Sequence, residues 1–491
     1  MSARTDLGNL EASGLIEIAA LQPELEYLFK HALVQEAAYA TLLKQDRRSL
    51  HRVAAETILA LYPDRERELS GVIAMHYEQA GERRLAAEHY LTAGDHALQI
   101  FATREAVALY ARAGAVADDT EVELRLRAAI GGARAGWTLP EAAHLETLER
   151  AVAAAGETAD RRLLADGYFW VAFMRRQRGE IPETSAALQN ALERGAELGG
   201  ELNDPTAAAL PKALIGSFNA FTGNLHEGAR QMNEALEVMR GRVDSLSSAM
   251  ISVFLALTYS RLGQFDAAAE TIARAEQDAG GSDAIARLDV DIAKSNLALE
   301  RGEADKGRQQ AQECAVRAED LGAYACVVAA STMLGAARLA GDDANGAMAT
   351  LERGNELSQV TNMAVFRTLI LGLLGSTRAL LGDLPAGIAD WDQALESARA
   401  MNDDYGEAQV FWGRGRSFAR QSPPNWTAAL ADIERAVELF TSMDAKPSLA
   451  RSLHDRAEAL RAAGRGAEAA ADEERSRELG RELGLKDAIF A

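Results

Sequence analysis

The chain has eight histidines, His31, His51, His76, His89, His96, His144, His226 and His454. A zinc site on a helix face needs two of them four residues apart with a glutamate between. His226-Glu227 has no second histidine at that distance, and His89 and His96, seven apart, have no third ligand in the sequence. Asp342-Asp343-Ala344-Asn345-Gly346 opens like a calcium loop, but Arg353 stands at its twelfth position, where a bidentate glutamate is needed. The carboxylate pairs Asp118-Asp119 and Asp403-Asp404 fall at predicted helix starts, where they would serve as N-caps at the positive end of the dipole. No G-x-S-x-G elbow, Cys/His nucleophile pair or G-x-x-x-x-G-K-[ST] phosphate loop occurs. The residues therefore predict no catalytic site, no metal site and no cofactor.

What remains is recognition. The run Lys44, Arg47, Arg48, Arg52 is a candidate for DNA phosphate, diluted by Asp46 and Glu56. Against it stands a formal charge of −21, from 52 Lys+Arg and 73 Asp+Glu, which repels nucleic acid and anionic membrane over most of the surface.

The elements that position these residues repeat. Between Ala249 and Glu276, Leu255-Ala256, Tyr259, Gly263, Phe265, Ala268, Ile272 and Ala275 follow the L-G-x2-Y…A-x3-F…A pattern of a tetratricopeptide unit. Small residues let two antiparallel helices approach, large ones fill the space beside them, and Gly263 turns the chain. The turn residues Gly179, Gly223, Gly263, Gly302, Asp342 and Gly382 are spaced by 44, 40, 39, 40 and 40, and Gly464 follows after 82. That spacing alone favours HEAT units of about 40–47 residues over tetratricopeptide units of about 34. The internal pattern, repeated in Leu334-Gly335…Ala347…Leu351 and Leu374-Gly375…Gly387…Trp391…Ala394, favours the tetratricopeptide type with longer helices. The fold class expected is all-α, a right-handed helical-repeat solenoid with a short β-hairpin near the N-terminus. Residues 1–46 read as a partial winged-helix segment with the hairpin around Gln22-Pro23-Glu24, residues 47–81 as hinge helices, 82–483 as about ten helix pairs and 484–491 as a tail. The charged stretch Asp472–Arg481 suits a polar cap on the last unit.

In such a solenoid the first helix of each pair lines a concave surface. Counting back from the turns puts Phe169, Phe173, Arg176, Gln177, Ser217, Phe221, Met250, Val253, Leu257, Arg261 and Asn296 on it. Rings, aliphatic groups, arginines and amides in that order predict a groove for a peptide or protein segment. Charge reversal at Arg176 with Phe173→Ala would then weaken partner capture without unfolding the chain.

At 491 residues the chain exceeds one hydrophobic core, and hydrophobic residues make up 48% of it. Cys314 and Cys326 read as buried small side chains, the N-terminus has no apolar signal core, and the expected compartment is the cytoplasm. The most apolar helix, Met363–Leu381, contains Arg367 and Arg378 and reads as a buried repeat helix.

The stretch Tyr27-Leu-Phe-Lys-His-Ala-Leu-Val-Gln-Glu-Ala-Ala-Tyr39, with Leu42-Leu43, Arg48-Ser-Leu-His51, His76-Tyr77 and Gly81, resembles a signature of bacterial multidomain signalling ATPases. These include nucleotide-cyclase-linked ATPases and large LuxR-type activators. The resemblance spans about residues 7–110 and implies a winged-helix piece between an ATPase module and the repeat array. The sequence has no ATPase or cyclase segment. It therefore predicts a non-enzymatic binding scaffold, with the regulatory half of an ATPase or cyclase encoded upstream as the alternative and a transcription regulator a more distant one.

Overall fold

The computed structural model describes residues 3–20, 26–100, 102–139, 143–156, 160–181, 190, 193, 205–241, 245–280 and 284–485. Helix Ala3–Ala12 leads into an antiparallel hairpin of β1 (Ile16–Ala20) and β2 (Glu26–Phe29), with Ile16 opposite Phe29 and a bulge between Ile18 and Ala20. The predicted hairpin turn at Gln22-Pro23-Glu24 lies outside the described residues. Helices Ala32–Thr41, Lys44–Leu61 and Glu66–Ala80 follow, the last closed by Gly81 at φ +85°.

From Arg83 the chain is a solenoid of antiparallel helix pairs. The expected second helix of the unit at 160–199 lies largely outside the described residues. All the turn residues that set the period, Gly179, Gly223, Gly263, Gly302, Asp342, Gly382 and Gly464, adopt positive φ. A helix whose next residue enters the left-handed region cannot continue, and glycine enters it without steric cost. Asp342 is the one non-glycine in the series. Beside it, Asp343 accepts the Gly346 amide at 2.9 Å as an N-cap, so this segment is a repeat turn.

Within a unit the two helices meet over small residues. A Cβ on Gly375 would lie 2.6 Å from the Trp391 ring, and Trp391, fully buried, donates its indole N–H to the Gly372 carbonyl at 3.1 Å. This close crossing is the reason for the alternation of tiny and large residues in the pattern.

The core is continuous around the superhelix rather than only along it. One cluster of buried side chains unites Leu126–Leu297 with Tyr405–Leu485, while the intervening units from Leu288 to Val410 form a second. Three consecutive turn glycines show how the turns meet. Gly179 faces Met401, Gly223 faces Met443, and Gly263 faces Leu483, at near-constant offsets of 222, 220 and 220 residues. Each partner is the last residue of the second helix of its unit, in Leu384–Met401, Trp426–Met443 and Gly466–Leu483. A Cβ at these glycines would lie 2.8, 2.9 and 2.3 Å from the opposing side chain, so a small residue is required twice over, for φ and for space. Backbone bonds from Ala325 N to Thr138 O (3.3 Å) and from Ala364 N to Gln177 O (2.6 Å) continue the seam. Each superhelical turn of five to six units thus rests on the next.

Among the described residues no helix is long and apolar enough to cross a membrane. Cys314 and Cys326 are free and buried, with desolvation pushing the Cys314 thiol up to about 12 and the Cys326 thiol well above its ordinary value.

Candidate functional site

None of the eleven residues assigned to the concave surface is exposed. Phe169, Phe173, Arg176, Ser217, Met250, Val253 and Leu257 are buried, and Gln177, Phe221, Arg261 and Asn296 are partly buried. Phe173 packs edge-on against Trp137 and Trp170, with ring centroids 5.4 and 5.5 Å away. Ser217 donates to the Leu214 carbonyl at 2.7 Å within its own helix. The expectation of an open groove is corrected accordingly: the pitch is short enough for the following turn to cover the inner wall. The double substitution at Phe173 and Arg176 would remove core side chains and unfold this region rather than test a surface.

What covers the wall is a polar network that joins elements far apart in sequence. Arg176, on helix Arg161–Gln177, lies with its guanidinium 4.1 Å from the Phe221 ring centroid and 4.6 Å from that of Phe218. Arg261 approaches the opposite unit, 5.4 Å from Phe221 and 4.0 Å from Tyr405. Tyr405 donates to Glu300 at 3.1 Å and meets the Ser448 hydroxyl at 3.1 Å, and the Gln409 amide donates to Tyr405 at 2.9 Å. Arg451 then holds Glu300 twice, donating to its carboxylate at 3.2 Å and to its backbone carbonyl at 2.6 Å.

Burial dominates the electrostatics here. Desolvation pulls the Arg176 guanidinium down to about 10 against the attraction of Asp403, with Arg261 adding repulsion. Desolvation also raises the Asp403 carboxyl, opposed by Arg261, by the Gly406 N–H that it accepts at 2.9 Å, and by Arg176. Desolvation raises the Tyr405 phenol too, with Glu300 acting in the same direction. Glu300, Asp403, Tyr405 and Arg451 were not among the residues singled out by periodicity. Nothing local marks them, because their partners lie 105 to 151 residues away.

The other candidates settle into structural roles. Asp403 is an N-cap as expected, but Asp118 and Asp119 are not. Asp118 pairs with Arg83 at 2.9 Å and Asp119 with Arg125, because the helix begins only at Val122. In the basic run, Arg47 stacks on Tyr39 at 5.1 Å, Arg52 pairs with Glu82 at 3.6 Å, and Arg48 lies against Gly81. Among the described residues no group of three His, Cys, Asp or Glu could hold a metal ion. In the expected cap, exposed Arg477 pairs with Glu473, while Asp472 is buried in a bidentate pair with Arg456 at 2.6 Å.

The N-terminal region presents the opposite surface. Helix Ala32–Thr41 has no buried residue, and Leu28, Leu33, Leu43, Leu50, Val53 and Leu61 are exposed. It is tied to the hinge by a chain of polar contacts, Tyr39 hydroxyl to His51 Nε2 at 2.9 Å and His51 Nδ1 to His76 Nδ1 at 2.8 Å. His51 bridges the two, donating at one ring nitrogen and accepting at the other. Burial, with repulsion from His51, keeps His76 below its ordinary value.

No family model matches the chain, and no curated protein is similar to it in sequence. Solved structures of helical-repeat proteins are similar in path at very low identity. A Rap protein complexed with competence and sporulation factor is 12% identical, with 81% of this chain and 98% of that one covered and a TM-score of 0.47. The Rap conjugation gene regulator of plasmid pLS20, in complex with the Phr* peptide, is 10% identical over 74% and 97%, at 0.49. The human IFIT1 dimer with m7Gppp-AAAA is 13% identical over 85% and 95%, at 0.44.

Proposed function

We propose that this chain is a non-enzymatic protein-binding scaffold of a cytoplasmic signalling system. One docking face is the N-terminal hairpin with its flanking helices, and a second, ligand-responsive surface is the inner wall of the solenoid. The observation that carries the proposal is where apolar surface remains uncovered. Of the 20 large hydrophobic residues exposed among the described residues, 13 lie before residue 76. Monomeric soluble proteins rarely leave such a concentration open, and covering each leucine contributes about 1.5–3 kcal/mol.

The partner of that face is a protein, because a largely apolar surface on which Arg47 is already stacked and Arg52 already paired has little to offer phosphate. The resemblance of residues 27–81 to signalling ATPases supports a catalytic partner, so this chain would be the regulatory half of an ATPase or cyclase encoded upstream. A change in solenoid curvature on ligand binding would reach that partner through the hinge helices at 47–80. The Tyr39–His51–His76 contacts supply the connection between hinge and docking face.

The experiment is affinity capture from native lysate with the wild type and with Leu33→Asp/Leu43→Asp, followed by mass spectrometry and an ATP-hydrolysis assay on the captured material. The wild type is expected to recover a nucleotide-hydrolysing protein that the double variant loses. Recovery of the same proteins by both would remove the N-terminal face as the docking surface.

A further inference from the structure

The inner wall carries donors without acceptors. Arg176, 5% exposed, has no hydrogen-bond partner for its Nε, and Asn296 has none for its amide nitrogen. Arg261, partly buried, stacks on the Phe221 and Tyr405 rings and acts on Asp403 only at longer range, with no hydrogen-bonded or ion-paired acceptor among the described residues. Buried polar groups in folded proteins are nearly always partnered, so the two unmatched donors of Arg176 and Asn296 mark the place of a missing acceptor. The two arginines flank the same Phe221 ring, and Asp403, whose charge acts on both, forms an ion pair with neither among the described residues. Two like charges are thus held close together, compensated by aromatic faces and at longer range by Asp403. On a chain of net charge −21 this is a locally cationic interior.

Beside these donors stands a carboxylate from the protein itself. Glu300 ends helix Ala284–Glu300 and accepts from Tyr405 and Arg451, binding the inner wall of one superhelical turn to the next. We propose that the interior is a closed site for a peptide segment bearing carboxylates, and that Glu300 holds it shut by tying Tyr405 and Arg451 across the seam. This rests on the inner wall being a binding surface, and it names the ligand class and the regulation of that surface. An incoming segment would offer its carboxylates to Arg176, Arg261 and the Asn296 amide. Competing for Arg451, it would release Glu300 and part the seam where Gly179, Gly223 and Gly263 meet Met401, Met443 and Leu483.

The test uses the full chain and two fluorescein-labelled ten-residue peptides, one alternating Leu and Glu, the other Leu and Lys. Glu300→Gln should bind the Leu–Glu peptide at least tenfold more tightly than the wild type and show a larger radius of gyration in X-ray scattering. Adding Arg261→Met should cancel the gain. The reciprocal pair Glu300→Arg/Arg451→Glu should restore the compact form and the weak binding. Equal binding of the Leu–Lys peptide, a gain that survives Arg261→Met, or a folded Glu300→Gln with unchanged affinity would overturn the proposal. If Glu300→Gln fails to fold, Arg261→Met in the wild-type background decides. Its thermal midpoint should stay within the wild-type range while the Leu–Glu affinity falls at least tenfold; an unchanged affinity rejects the site. Partner capture through Leu33 and Leu43 is read separately, so loss of the peptide result leaves the N-terminal docking face standing or falling on its own.

Discussion

Between residues 3 and 61 only Ile16 and Ala55 are buried among the described residues, whereas helix Tyr324–Ala340 alone buries twelve of its seventeen. Both regions are rich in alanine and leucine, although the first is studded with charge where the repeat helix has only Arg338. The difference lies in what each helix has to pack against. A repeat helix has its partner within the unit, the neighbouring units on either side and, in the middle of the array, the next superhelical turn. The helix Ala32–Thr41 has a two-stranded hairpin and one hinge helix, too little to enclose a core. The solenoid has completed its packing, and the N-terminal segment has not.

Five substitutions or conditions probe that contrast, taken from the largest expected effect downward. Trp391→Ala, in the solenoid core, should cost about 3–5 kcal/mol in urea denaturation, the range for a fully buried large aromatic. Gly375→Ala sets a Cβ against the Trp391 ring at 2.6 Å. Overpacking of about 1–3 kcal/mol should outweigh the roughly 1 kcal/mol that alanine gains in helix propensity, leaving a net loss in thermal midpoint. A net gain instead would mean that the crossing has slack. Asp343→Ala removes an N-cap and should cost about 1 kcal/mol, seen as faster amide exchange in helix Ala344–Val360.

Acidification acts on the other side of the comparison. Burial holds both His76 and His89 below the ordinary 6.5 in the folded chain. The unfolded chain therefore takes up protons first, so their contribution is intact above pH 6.5 and is lost as pH falls through the folded-state values. Protection of helix Glu66–Ala80, corrected for intrinsic exchange, should drop between pH 7 and pH 5 more than that of Tyr324–Ala340. The smallest effect belongs to Leu33→Ala, which should leave stability within about 0.5 kcal/mol while weakening partner capture. A large loss of stability there would show that Leu33 is already in use within the fold.

Local structure was legible in the sequence because it is written locally. Glycine at the end of a first helix, small residues at the crossing and large residues beside them gave the helix pairs and the turns, and every period-setting turn residue has the positive φ expected of it. The burial of the residues expected to line the inner wall, Phe173, Arg176 and Leu257 among them, was not legible. Superhelical pitch is the accumulation of a small rotation at each unit interface, and no single residue encodes it. The contacts that close the wall, such as Arg451 with Glu300 or His226 with Asp444 at 2.9 Å, join positions 151 and 218 apart. The same applies to Asp118 and Asp119, where an error of a few residues in the helix start turned two predicted caps into ion pairs.

The constant register of the glycine seam bears on how this molecule would come apart. An array whose units touch only their neighbours can fray from either end, one unit at a time. Here Leu483, in the last unit, sits on Gly263, near the middle of the array. Peeling off the final helix therefore uncovers part of the centre, and damage at the tip is felt five units upstream. Mechanically the chain behaves less like a string of beads than like a coil whose loops are stitched together.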